Sequence, residues 1–175
     1  MRNRRQFPGW PLTLILLVGI CLALPAVPAG AASDQHGQEQ AWKGATGRVT
    51  VIDFAATWCG PCWKTLPQYQ QLAERHPQFQ FLVVSEDEEP AGRDRLVREL
   101  GLRLPVVWDE DHVIAEHYRL KGMPTTVVLG SDGEVLYRHS GSATRDWNQL
   151  QEVLASLPAS SPSGGAASAV QRAQE

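Results

Sequence analysis

Trp58-Cys59-Gly60-Pro61-Cys62 sets two thiols three positions apart with Gly-Pro between them. The apolar run Val49 to Ala56 before them reads as a strand, and the residues after Cys62 read as a helix. A thiol at the first turn of a helix faces unpaired backbone N–H groups and the positive end of the dipole, which favour thiolate over thiol. Helical spacing places Cys62 one turn below Cys59 on the same face, near enough for a reversible disulfide. Pro61 fits there because first-turn N–H groups have no intrahelical partner to lose. This is a dithiol built to swap disulfides with other proteins.

The two sulfurs are expected to divide the work. Cys59, first in the pair and nearest the helix terminus, is the expected exposed nucleophile. Cys62, more buried and so less acidic, is expected to attack Cys59 in a mixed disulfide and release the reduced substrate. That attack needs a proton acceptor. Asp53, flanked by Val51, Ile52, Phe54 and Ala55, is a carboxylate inside an apolar strand, where burial raises its pKa. The alternative for Asp53 is a strand-end position in solvent.

The elements that position these residues come from a chain of 175 residues, enough for one ordinary domain plus extensions. A hydrophobic content of 43% supports a globular core, and a formal charge of −3 gives no electrostatic case for nucleic acid. Of three cysteines, Cys21 lies in the N-terminal apolar segment. The remaining pair can neither staple a small scaffold nor complete a four-ligand zinc site, so no metal is expected. Residues 1–32 read as an export signal: Arg2, Arg4 and Arg5, then the apolar run Leu12 to Leu24, then Ala29-Gly30-Ala31-Ala32-Ser33. Cleavage is expected after Ala31 or Ala32. An uncleaved anchor follows instead if Trp10 to Val27 acts as one unit. Arg4-Arg5-Gln6-Phe7 also resembles a twin-arginine signal. Every one of these routes ends outside the cytoplasm.

Residues 33–47 read as a polar linker, with a short element possible around Ala41-Trp42. Residues 48–157 alternate strands and helices. A strand over Arg48 to Ala56 leads to a helix over Gly60 to His76, with Pro67 expected to kink it. A strand over Phe79 to Val84 is followed by Glu86-Asp87-Glu88-Glu89, expected as a solvated acidic loop. The amphipathic stretch Ala91 to Leu100 reads as a helix closed by Gly101. A strand over Leu104 to Trp108 and a helix over His112 to Tyr118 come next. The strand Thr126 to Leu129 turns at Ser131-Asp132-Gly133 into Glu134 to His139. Ala143 to Leu157 reads as a closing helix, and residues 158–175 as a disordered tail. This order predicts an α/β fold with a mixed central sheet flanked by helices.

Val51-Ile52-Asp53-Phe54 leading into the CGPC stretch, the Pro67 position, and Gly122-Met123-Pro124-Thr125-Thr126 before the last hairpin together resemble thioredoxin. The long Ser85 to Pro124 separation, ending its extra helix and strand in Leu-Pro-Val-Val-Trp-Asp, is similar to the exported TlpA/ResA-like branch and its βα insert. Thr65 stands where that branch often carries an acidic residue, and Asp53 where many members have Asn. No lysine partner for Asp53 appears on Phe79 to Val84, and no N-terminal hairpin is evident before Arg48. The resemblance implies a cis Pro124 set against the disulfide, exposing the Met123 backbone to a substrate strand. Trp58, Gly60, Pro61, Met123 and Pro124 are the substrate-contacting residues it implies. Trp58 has a second reading as a core residue.

The implied function is an extracytoplasmic, monomeric thiol:disulfide oxidoreductase that reduces protein disulfides and needs no cofactor. Apocytochrome c is a substrate implied by the resemblance, and a membrane protein the implied electron donor. Gly-Pro between the cysteines resembles the reducing thioredoxins, with potentials near about −270 mV. Two other classes are weighed against it. A thioredoxin-fold peroxidase needs Pro and Thr where Ile52 and Ala56 stand. A non-catalytic binding module would have no use for Cys59, Cys62, Asp53 and Pro124 together.

Overall fold

The computed structural model describes residues 30–44 and 46–158. In chain order the elements are strands β1 (Ala31–Ser33), β2 (Glu39–Ala41) and β3 (Thr50–Ala55), then helix α1 (Cys62–Arg75). Strand β4 (Gln80–Ser85), helix α2 (Pro90–Leu100), strand β5 (Val106–Trp108) and helix α3 (Val113–His117) follow. Strands β6 (Thr125–Leu129) and β7 (Val135–Ser140) and helix α4 (Thr144–Ser156) close the domain. The main sheet runs β5-β4-β3-β6-β7, parallel from β5 to β3 and antiparallel from β3 to β7. It is the mixed sheet that the alternating pattern predicts.

β3 is central and every residue of it is buried, as its unbroken apolarity requires. Side chains alternate between its faces. Val51, with Val83, Val106, Val128 and Tyr137, packs against Leu66, Tyr69 and Leu72 of α1, Leu96 of α2, and Leu150 and Leu154 of α4. Ile52 and Phe54, with Leu82, Val84, Val107 and Val127, pack against Ile114 and Tyr118 on the other side. Asp53 falls in step with Val51, so its carboxylate belongs to the face covered by α1 and α4. α1 continues through Pro67, whose ring removes one intrahelical N–H. Gly101 ends α2 in the left-handed region at φ 59, donating its N–H to the Val97 carbonyl.

Residues 33–47 are not a plain linker. β1 and β2 pair antiparallel, Ala31 opposite Ala41 and Ser33 opposite Glu39. The turn between them is set by Asp34, whose Oδ1 accepts the N–H groups of His36 and Gln38. The hairpin is docked on the sheet edge: Gln35 donates to the Leu104 carbonyl and accepts the Val106 N–H. Trp42 then enters the core beneath Tyr118, which donates its hydroxyl to the Trp42 carbonyl at 2.6 Å. Strands of three residues carry too little periodicity to read in sequence; the edge they cover is what holds them. The cleavage points expected after Ala31 and Ala32 fall inside β1. Residues 1–29, and the tail from 159 onward, lie outside the described residues.

Candidate active site

β3 ends at Ala55, and the chain reaches Cys59 in four residues without entering a helix. Cys62 opens α1 and its N–H bonds to the Cys59 carbonyl at 3.0 Å. The helix thus starts two residues later than the Gly60 start the sequence indicates, with Pro61 at its N-cap. Cys59 and Cys62 form a disulfide with their Cα atoms 5.3 Å apart. Cys62 is fully buried, whereas Cys59 keeps 6% of its surface. Both cysteines are thus buried in the disulfide, Cys59 slightly less than Cys62, so the exposed nucleophile expected at Cys59 is not what the oxidised structure shows. Trp58 is 68% exposed, so its reading as a core residue is wrong. With exposed Gly60 and Pro61 it forms an apolar rim beside the disulfide.

A cavity of about 650 Å³ opens beside the disulfide loop, bordered by Gly60, Pro61, Pro124, Asp53, Thr126 and His139 among others. Met123-Pro124 is cis, and the Pro124 carbonyl accepts the Gly141 N–H at 2.8 Å. Asp53 is buried, which excludes the solvent reading. Its Oδ1 accepts the Thr126 hydroxyl at 2.7 Å, while Oδ2 is buried with no partner. Burial pushes the carboxyl up to about 7, opposed by the Thr126 hydrogen bond. The strand from Phe79 to Val84 brings no lysine, but Lys64 of α1 lines the same cavity.

Two residues that position the loop were not singled out by sequence. Asp87 accepts the Thr57 N–H at 3.0 Å, the Thr57 hydroxyl at 2.5 Å and the Ser85 hydroxyl at 2.8 Å. Trp63 donates its indole N–H to the Thr57 carbonyl at 2.8 Å. Thr57 is thus clamped from both sides, two residues ahead of the nucleophile. Gly92 makes room for the clamp, since a Cβ there would lie 2.3 Å from the Asp87 carboxyl carbon. The acidic loop is accordingly not a solvated one. Glu86 and Asp87 are buried, and only Glu88 and Glu89 face water.

A model of the Redoxin family matches residues 24–155, most of the chain. The chain belongs to the Redoxin family. Among its relatives, thiol-disulfide oxidoreductase ResA of Bacillus thuringiensis subsp. konkukian is 27% identical over 124 residues, covering 70% of each chain. The sporulation thiol-disulfide oxidoreductase A of Bacillus subtilis is 30% identical over 112 residues, 61% of this chain and 66% of that one. The crystal structure of StoA from Bacillus subtilis aligns with a TM-score of 0.62 at 27% identity, covering 73% of this chain and 98% of that one. The thioredoxin fold and the ResA-like resemblance read from the CGPC and Met-Pro-Thr motifs are thereby shown. This Redoxin-family chain is a thiol-disulfide oxidoreductase.

A second group of ionisable residues sits behind the Asp87 clamp. Glu86 meets the His112 Nδ1 at 2.7 Å, and Asp109 lies close enough for all three to share one cation. Burial first, with the nearby Asp109 adding to it, lifts Glu86 to about 7. The Glu86 hydrogen bond raises His112 in turn. Asp109 is already engaged at the start of α3, where its carboxylate accepts the Ile114 and Ala115 N–H groups.

Proposed function

We propose that this protein is an extracytoplasmic reductase of protein disulfides, working through a Cys59/Cys62 dithiol cycle with Asp53 as its proton acceptor. The observation that carries this reading is the graded burial of the site. Of the two buried cysteines Cys59 keeps a little surface and Cys62 none, and Asp53, with one unpartnered oxygen, lines a cavity that the Gly60-Pro61 turn between them also borders.

The cycle follows from that layering. The Cys59 thiolate attacks one sulfur of a substrate disulfide, and the substrate's other sulfur leaves as a thiolate that takes its proton from solvent. Asp53 takes the Cys62 proton; a carboxyl titrating near about 7 can accept it and later return it at neutral pH. The Cys62 thiolate then attacks Cys59, forming the intramolecular disulfide and freeing the second substrate thiol. Two electrons leave the dithiol and two substrate thiols result. Both electrons travel on sulfur.

Trp58, Gly60 and Pro61 supply the apolar rim for an approaching chain, and cis Pro124 also borders the cavity. An extended segment around an accessible disulfide fits that shape. The cysteine pair of an apocytochrome c is one such substrate, and a membrane dithiol donor is the partner that would recharge the enzyme. Export rests on the charged and apolar N-terminal segment. Among the described residues, no helix is long and apolar enough to cross a membrane. Pairing of Ala31 and Ala32 within β1 favours a leader retained as an anchor, or one cut upstream of β1, over removal at those residues. Insulin reduction driven by dithiothreitol tests the enzymatic reading: the parent accelerates it and Cys59→Ser does not. Equal, negligible turnover by both would refute it.

A further inference from the structure

Asp53 is buried, so any proton it takes from Cys62 must leave by a further group. One row of the sheet provides that route. Asp53 is in register with Thr126, and Thr126 with His139, so the three residues cross β3, β6 and β7 side by side. All three line the same cavity. Two buried atoms along this row have no hydrogen-bond partner, Asp53 Oδ2 and His139 Nδ1. A polar, roomy cavity between unsatisfied groups is where bridging water belongs.

We propose that His139 is the proton partner of Asp53, exchanging a proton with it through water in the cavity and so connecting the buried carboxyl to the outside. This rests on the role of Asp53 proposed above and names the group through which Asp53 acts. The bookkeeping of the step is simple. Cys62 loses its proton to Asp53 as it attacks Cys59; Asp53 passes that proton through water to the neutral imidazole; the imidazolium releases it to solvent. In reverse, reduction of the Cys59–Cys62 bond by an external dithiol expels Cys62 as thiolate. Asp53 protonates it, and His139 reloads Asp53.

The neighbours of His139 suit this task. Burial holds the imidazole below its usual pKa, opposed by Asp146 of α4. It is therefore free to accept a proton at neutral pH and quick to release it. From α1, Lys64 and Tyr69 face the cavity; from β3, Asp53; β6 contributes only the Thr126 hydroxyl. On β7 itself, the Tyr137 ring lies 5.7 Å from the His139 ring. Asp146 favours the charged form of His139 and so eases the transfer of the proton to it.

The test is stopped-flow reduction of the Cys59–Cys62 disulfide by dithiothreitol, followed by tryptophan fluorescence from pH 5.5 to about 8.5. It involves no protein substrate, so it is independent of whether insulin is turned over. His139→Gln keeps the polar volume but cannot carry the proton. It is expected to slow the reaction roughly three- to tenfold near neutral pH and to flatten its pH profile. Added imidazole should restore the rate of His139→Ala. In an Asp53→Asn background, His139→Gln should change nothing further. A parent-like rate and pH profile for His139→Gln would overturn the proposal. So would a slowing of the same size in the Asp53→Asn background, or a failure of imidazole to rescue His139→Ala.

Discussion

Cys59 and Cys62 differ in what surrounds them more than in where they sit. Cys59 keeps a sliver of exposed surface and Cys62 has none. Replacing Cys62 with Ser should therefore leave the first attack intact and abolish release, so that the mixed disulfide accumulates. Non-reducing electrophoresis after mixing with a disulfide substrate would show that adduct, which Cys59→Ser should not form. Asp53 makes a separate prediction about stability. Its folded pKa, about 7, lies above the ordinary carboxylate value, so the folded state holds its proton more tightly than the unfolded chain. The destabilisation is absent below the unfolded pKa and grows as pH rises through the folded one. Asp53→Asn should therefore be more stable than the parent at pH 8 by a few kcal/mol, on the order of 2–4, with the gap closing towards pH 4. Denaturant unfolding at the two pH values measures it. The burial of Asp53 was legible because apolar residues flank it on both sides. The unpartnered state of Oδ2 was not, since it depends on Thr126 and on an open cavity contributed by distant elements.

At the scale of elements, the loop from Ala55 to Cys62 is held by contacts from outside itself. Asp87, carried past the end of β4, accepts both the N–H and the hydroxyl of Thr57. Asp87→Ala strips a partly buried amide of its acceptor and should lower stability by about 2–3 kcal/mol. It should also reduce turnover by loosening the nucleophile's mount. Asp87→Asn keeps an acceptor oxygen and should fall between the two, as read by thermal unfolding beside the insulin assay. The N-terminal hairpin depends in the same way on Trp42, which is 6% exposed and wedged against Tyr118 and His117. Trp42→Ala should cost about 3–5 kcal/mol and release β1 and β2 from the edge strand β5, seen as faster amide exchange there. Periodicity exposed the long elements in sequence: β3, α1, β4, α2, β6, β7 and α4 all lie within a few residues of their expected spans. It failed for β1 and β2, whose three-residue strands have no period to show. It failed again for Glu86 and Asp87, where a run of acids masks two side chains turned inward to serve Thr57 and His112.

For the whole molecule, the mixed sheet sets the site where the last residues of parallel β3 and β4 meet the start of antiparallel β6. The thiols, the Asp87 clamp and cis Pro124 all converge there, although they are far apart in the chain. The CGPC stretch and the Met-Pro-Thr stretch were legible as motifs; the cavity joining them to Thr126 and His139 was visible only once the strands were in register. A pair that reduces protein disulfides, as proposed here, must favour its own disulfide. The reduction potential of the Cys59–Cys62 couple, equilibrated in dithiothreitol redox buffers, tests this most directly. A reducing enzyme should give a value close to about −270 mV, whereas a value near about −120 mV would mark a strong oxidant and contradict the account.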